Sequence, residues 1–370
     1  MTDASNLPDR DLWDRLKTIG RPIIIYGMGN GADKILTVLA EKGIAVSDFF
    51  ASEGFVRGHC FHGKRVLSFR EIQEKYKEFF ILLAFGSSLD DVMAQVRRLA
   101  AQYPLFAPDV PVCGGELFDS GFFQKNRSLF EKARALLADE RSRHVFDNVI
   151  SYKLSGDIAY LASADTPQEE AFAHLLHGGY TAYADLGAYT GDTVKEMLAR
   201  FPSIRRVIAF EPSAKPYRKL AAYCGTLAGI ECCLYPVGAW DTKTEILLSD
   251  AGGRNSAVRT DCRALGNKTA SGALLHTVPC DSLDHCAAFC AEKLLIKYDV
   301  EGSEREAFLG SLETIEKNRT ELIVSAYHRS RDLFELPLLI HEKMPQHRLF
   351  LRKHPYIPAW DINLYVCTPE

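Results

Sequence analysis

The sequence predicts an α/β protein with two parallel-sheet units separated by a helical segment. Three observations carry that prediction. Two stretches, 22–42 and 182–201, each run from an apolar strand through a glycine turn into an amphipathic helix. A parallel sheet presents a strand tip to a ligand in that order. Between them, residues 113–180 place apolar side chains at helical spacing and show no strand pattern. Near the end, two strand patterns at 347–352 and 362–367 follow each other with only a loop between. The final strand should therefore run antiparallel and insert into an otherwise parallel sheet.

Bulk properties narrow the function classes. At 370 residues the chain has room for two domains, and 47% hydrophobic with 25% charged residues is the balance of an ordinary globular protein. A net charge of −4 argues against a protein held to nucleic acid by phosphate contacts. No apolar run reaches membrane-spanning length. The first residues lack a basic segment followed by an apolar core, so no signal peptide and a cytoplasmic location are expected. Ten cysteines are scattered without a CxxC pair or a spacing that suits zinc, and Cys286 and Cys290 would share a helical face. They read as buried, reduced thiols, and no metal site is expected.

Taken in order, residues 8–19 form an amphipathic helix with Leu12, Trp13, Leu16 and Ile19 on its apolar side. A strand at 22–26 enters the turn Gly27-Met28-Gly29-Asn30-Gly31, and a helix follows from Asp33 to Lys42. That context is Rossmann-like and suits a nucleotide or nucleotide sugar. At the tip of the next strand, 45–50, where a nicotinamide-binding loop would present an acid, stand Ala51, Ser52 and only then Glu53. A third strand at 79–86 and a helix at 89–101 complete a small unit. His59 and His62 lie in a glycine-bearing loop, are assigned no metal site and read as surface or packing residues. The domain expectation is 1–112 for this unit, 113–180 for a helical connector with helices at 128–140 and 142–153, and 181–370 for the second α/β domain. In that domain strands are expected at 182–186, 205–210, 231–237, 293–299, 320–326, 347–352 and 362–367, with helices at 191–201, 213–224, 304–316 and 331–342.

Four stretches of the second domain together resemble one family. They are Asp185-Leu186-Gly187-Ala188-Tyr189-Thr190-Gly191-Asp192-Thr193, Phe210-Glu211-Pro212, Lys297-Tyr298-Asp299-Val300-Glu301-Gly302-Ser303-Glu304 and Ser325-Ala326-Tyr327-His328-Arg329. Across 181–370 the chain is similar to the FkbM family of S-adenosylmethionine-dependent methyltransferases. The lysine–acid–acid run is the most specific of the four. The resemblance implies a class I methyltransferase seven-stranded sheet whose last strand is antiparallel. It implies S-adenosyl-L-methionine as cofactor and methyl transfer to a hydroxyl of a small, sugar-like acceptor. No nucleic acid and no membrane span are implied, and a homodimer is an allowed assembly.

Residue by residue, the glycine turn should line the cofactor with Gly187, Ala188, Tyr189 and Gly191, and Asp185 should bond its amino group. Glu211, at a strand tip, can accept from two ribose hydroxyls, and it also suits a helix N-terminus. Gly238 and Ala239 would flank the adenine, with Trp240 either stacking on it or filling the core. Ser256 lies on a loop that could reach the cofactor or acceptor. Methyl transfer from a sulfonium is an in-line displacement, so the protein must position the acceptor and accept its proton. Asp299 and Glu301 are the candidate proton acceptors. Period-two geometry puts both on one face with Lys297, which should hold them ionised. His328, after the fifth strand, is the other candidate base because imidazole titrates near neutrality. His354 and Tyr356 are weaker candidates. Two other readings compete: a nicotinamide oxidoreductase using the 27–31 loop, and a non-catalytic scaffold that binds a nucleotide sugar or cofactor.

Overall fold

A computed structural model gives the fold and describes residues 10–250, 257–259, 274–287 and 292–369. The first sheet has five strands in the order β5-β2-β1-β6-β7: β1 (Ile23–Tyr26), β2 (Asp48–Ala51), β5 (Leu67–Ser68), β6 (Phe80–Leu83) and β7 (Leu105–Phe106). All of its pairings are parallel. Its strands are short and apolar because both faces are covered, by α1 (Leu12–Thr18) and α2 (Asn30–Glu41) on one side and by α3 (Phe69–Lys75) and α4 (Asp90–Ala100) on the other. A small hairpin, β3 (Cys60–Phe61) and β4 (Lys64–Arg65), interrupts the unit.

Four helices follow: α5 (Ser120–Leu136), α6 (Glu140–Ser155), α7 (Ile158–Ala164) and α8 (Gln168–Leu175). The expectation placed the first of these at 128–140 and the second at 142–153 and missed the last two. Asp119 caps α5 through the Phe122 amide and Asp139 caps α6 through the Ser142 amide, so each helix starts at an aspartate rather than at an apolar residue.

The second sheet has seven strands in the order β10-β9-β8-β15-β16-β18-β17. These are β8 (Ala182–Leu186), β9 (Arg206–Phe210), β10 (Glu231–Tyr235), β15 (Lys293–Tyr298), β16 (Arg319–Ser325), β17 (Arg348–Lys353) and β18 (Ile362–Cys367). The last strand lies between β16 and β17 and is antiparallel to both, as the two consecutive strand patterns required. Its helices are α9 (Asp192–Arg200), α10 (Ala214–Cys224), α11 (Leu283–Cys286), α12 (Glu304–Leu309), α13 (Leu312–Lys317) and α14 (Asp332–Lys343). The single helix expected at 304–316 is two. The break falls at Gly310, whose Cα is packed so closely on the Trp240 carbonyl that a Cβ would lie 2.0 Å from its oxygen. Sequence reading also missed a four-stranded sheet in the order β11-β14-β12-β13, built from β11 (Gly238–Ala239), β12 (Thr244–Asp250), β13 (Ala257–Arg259) and β14 (Leu274–Asp281).

One buried apolar cluster contains Tyr26 of the first sheet, Phe130 and Phe146 of the helices, and Tyr298 and Val366 of the second sheet. The helices meet the second sheet at its β17 edge, where Ala138 donates to the Leu349 carbonyl and Arg352 forms an ion pair with Asp139 at 2.6 Å. Among the described residues no helix is long and apolar enough to cross a membrane.

Candidate functional site

The register of the second sheet builds the site. Tyr235, Phe210, Leu186, Tyr298 and Val324 stand side by side across five parallel strands. The residues just beyond that row therefore share one edge. From β8 the chain winds outward through β9 and β10, and β15 and β16 lie on the other side. The crevice of such a sheet opens where that order reverses, here between β8 and β15. Gly187 and Asp299 meet there, and a Cβ on Gly187 would lie 2.0 Å from the Asp299 carbonyl oxygen. Its φ of 96° also lies in the left-handed region. The glycine is needed for contact between two strand tips, where the sequence suggested contact with a ligand. Gly191 likewise packs against Leu220 and Tyr223 of α10, not against its own strand.

Two acids bracket the glycine turn. Asp185 is fully buried; its Oδ2 accepts from the Thr193 hydroxyl and its Oδ1 has no protein partner. Burial raises its pKa, against the opposing pull of Lys297. Glu211 accepts from the Tyr189 amide at 3.0 Å and the Ser213 amide at 2.7 Å. Burial raises its pKa too, and those two amides oppose the shift. Each carboxylate oxygen has lone-pair capacity beyond one amide. Tyr189 has φ of 47° and is 39% exposed, so its ring stands out of the turn. Ala188 is fully buried, and its amide is taken by the Phe210 carbonyl.

The residues expected to flank the adenine lie in a short strand of the four-stranded sheet. Gly238 and Ala239 form β11 and pair with Cys280 and Asp281 of β14. A Cβ on Gly238 would lie 2.9 Å from Cys280 Sγ, so this glycine also answers to packing. Trp240 is half-buried and packs on Val278 and Cys280. Ser256 lies outside the described residues.

Beyond β15 the chain leaves the extended conformation. Glu301 has φ of 53° and Gly302 φ of 93°, so the expected common face of Lys297, Asp299 and Glu301 does not form. Such left-handed non-glycine residues cost energy and concentrate at functional sites. Lys297 pairs with Asp299 at 2.9 Å. Glu301 instead turns toward His328, with Oε2 3.6 Å from Nε2, and lies 3.7 Å from the Cys113 thiol. Asp299 Oδ1 lies 3.7 Å from the same His328 nitrogen and accepts from the Tyr327 hydroxyl at 3.3 Å. On the far side of the ring, His328 Nδ1 is 2.8 Å from Glu304 Oε1.

This arrangement separates three groups that the sequence treated as alternatives. Burial alone would raise the Asp299 pKa, but Lys297 and then His328 outweigh it and bring it to about 2. Burial pushes Glu301 up to about 7, with Asp299 and Glu304 adding to the rise and His328 opposing it. The expectation that Lys297 would hold Glu301 ionised is therefore wrong: the lysine is spent on Asp299. Burial would lower His328, but Glu304 and then the other two acids raise it to about 10. That rise favours the protonated imidazole at neutral pH and speaks against His328 as a neutral base. His354 is buried between the Thr166 carbonyl and the Tyr365 hydroxyl, a structural role.

The first glycine loop is explained largely by packing. Gly27 lies against Phe85 and Gly31 against the Ala84 carbonyl. Ser52, next to the position where a nicotinamide loop would present an acid, bonds the Tyr26 hydroxyl at 2.6 Å. The unit nevertheless reaches the second site. Lys34 donates to the Val112 carbonyl at 2.5 Å, next to the Cys113 that touches Glu301. Ser87 pairs with Ile357 in the loop before β18. Sequence reading missed Cys113 and Glu304 as neighbours of the site; only Glu304, three residues past Glu301, carried a signal. It also missed Asp33, which lies 2.7 Å from His62.

The model of the methyltransferase FkbM domain matches residues 185–358. No curated protein matches the chain in sequence. The chain is similar in structure to the methyltransferase FkbM from Methylobacillus flagellatus KT, with a TM-score of 0.70 at 19% identity over 98% of this chain and 94% of that one. That likeness is one of fold, and it extends over both sheets and the helices between them. Weaker likenesses are to an rRNA methylase from Streptococcus thermophilus (TM-score 0.32, 10% identity, 52% of this chain and 89% of that one) and a SAM-dependent methyltransferase from Aquifex aeolicus (TM-score 0.28, 10% identity, 57% and 97%). The seven-stranded sheet, its inserted antiparallel strand and the matched stretch from Asp185 onward agree: residues 185–358 of this chain form an FkbM-type methyltransferase domain.

Proposed function

We propose that the chain transfers the methyl group of S-adenosyl-L-methionine to a hydroxyl of a small, sugar-like acceptor. The transferase unit is 181–370, with 1–112 and 113–180 as an attached α/β unit and a helical connector. The residues at the β8–β15 switch point fit such a cofactor. Asp185 keeps a buried carboxylate oxygen without a protein partner, which suits a cationic amino group, and Glu211 sits at the neighbouring tip where a ribose diol would be held. Gly187, Ala188, Tyr189 and Gly191 form the turn between these two acids. When bound, the cofactor supplies an activated methyl group on a sulfonium.

The observation that carries the reading is the gathering of Asp299 and Glu301 around one buried imidazole, their oxygens 3.7 and 3.6 Å from His328 Nε2, with pKa values pushed apart. Asp299 at about 2 stays ionised, His328 at about 10 stays protonated, and Glu301 at about 7 changes charge at working pH. A base is most effective when its pKa lies near the operating pH. Glu301 thus takes the acceptor proton at a carboxylate oxygen, the His328 imidazolium stabilises the ionised form of Glu301, and Asp299 holds the imidazolium and Lys297 in place. The nicotinamide reading has less support, because Ala51 stands where an acid is expected and the neighbouring Ser52 is bonded to the Tyr26 hydroxyl. Incubation with radiolabelled S-adenosylmethionine and a panel of free and nucleotide-linked sugars tests the proposal. A methyl ether on a sugar is expected; transfer only to nitrogen or carbon acceptors would overturn the hydroxyl assignment.

A further inference from the structure

A second cluster lies apart from the proton-transfer site, on the short helix after β14. Asp281, His285 and Cys286 are, among the described residues, the one set of histidine, cysteine and acidic side chains whose ligating atoms all approach within 4.8 Å of one another. We propose that these three residues bind a zinc-class divalent cation, a site independent of the methyl-transfer reading.

The fold converges these atoms. Asp281 ends β14 and Ser282 caps α11 through the His285 amide, so the strand-to-helix turn brings His285 back beside the carboxylate. His285 Nδ1 lies 3.0 Å from each Asp281 oxygen. An aspartate–histidine pair alone would be an ordinary helix contact. The thiol beside it changes the chemistry, because one nitrogen, one oxygen and one sulfur form a donor set that favours zinc over magnesium or calcium.

Accessibility also suits a cation. The His285 side chain is 63% exposed, whereas that of Asp281 is 10% exposed. A rigid inner carboxylate and an outer imidazole leave a coordination position open to water or an exogenous ligand. The backbone is braced: Tyr235 donates to the Cys286 carbonyl at 2.5 Å, and the Trp240 amide donates to that of Asp281 at 2.9 Å. On binding, Cys286 releases its thiol proton to solvent and forms a sulfur–metal bond. His285 Nδ1 gives up its contact with Asp281 to bind the metal through its lone pair, and the ring proton then resides on Nε2. No electrons are exchanged.

Titration of the reduced full-length chain with Co2+ tests the site, because a thiolate ligand produces a charge-transfer absorption that nitrogen and oxygen ligands do not. One equivalent is expected to produce that band. Cys286→Ser should abolish it, and His285→Ala, at a mostly exposed side chain, should weaken binding by about ten-fold or more. Circular dichroism of both variants checks that they fold. Absence of a thiolate band in the wild-type chain, its persistence in Cys286→Ser, or unchanged affinity in His285→Ala would overturn the proposal.

Discussion

The Nδ1 nitrogen of His328 lies 2.8 Å from Oε1 of Glu304, and both side chains are 1% exposed. This buried pair favours the charged form of the imidazole. With Glu304 behind the ring and Asp299 and Glu301 in front of it, His328 is a cation that organises carboxylates. It does not compete with them for the acceptor proton.

The first prediction concerns pH and rate. Glu301 accepts a proton only when ionised, and burial has raised its pKa to about 7. The kcat/KM profile should rise with pH through about 7, measured with an acceptor that supports turnover. Glu301→Gln should remove that limb and lower kcat by about 10²-fold or more. A profile already flat from pH 5 upward would assign the proton elsewhere.

Stability should depend on His328 in the opposite direction. Its pKa rises from 6.5 in a free side chain to about 10 in the fold. The stabilisation is therefore fully present below about 6.5 and is lost as pH rises through about 10. Denaturant unfolding at pH values spanning that window should show falling stability, and His328→Asn should flatten the fall. Because this variant leaves Glu304 buried without its cation, it should also cost roughly 3–5 kcal/mol at neutral pH.

Gly187→Ala should be disruptive out of proportion to one methyl group. The new Cβ would lie 2.0 Å from the Asp299 carbonyl oxygen, backbone that can move only by separating β8 from β15. A cost of about 2–3 kcal/mol is expected from overpacking and left-handed strain. Gly29→Ala is the control. Its φ is 98° but nothing lies within 4 Å, so strain alone should apply, about 1–2 kcal/mol. Equal shifts in the denaturant midpoint for the two variants would refute the close-approach account.

Much of the fold was legible because strand and helix periods are local. The seven strands of the second sheet, and the inserted last one, follow from apolar runs and from a missing helix between the final two. The four-stranded sheet from Gly238 to Asp281 was not legible, because its strands carry polar residues such as Thr244, Glu245 and Thr277 and stand outside the βα alternation. Within the site, the tip positions of Asp185, Glu211 and Asp299 could be read from the ends of apolar runs. The roles of Glu301 and His328 could not. They depend on a left-handed turn after Asp299 and on Glu304 reaching back to the imidazole, and neither leaves a periodic trace. The trio at 281, 285 and 286 leaves no cysteine-spacing signature, because its one thiol is joined by an aspartate and a histidine rather than by a second cysteine.

Calorimetric titration of the full-length chain with S-adenosylhomocysteine and with NAD most directly tests the central claim that the β8–β15 switch point holds the methyl donor. One S-adenosylhomocysteine per chain should bind, and Glu211→Ala should weaken it by about ten-fold or more, the loss of hydrogen bonds to a charged carboxylate. NAD should not bind measurably. Tight NAD binding without S-adenosylhomocysteine binding, or S-adenosylhomocysteine affinity unchanged in Glu211→Ala, would contradict the account.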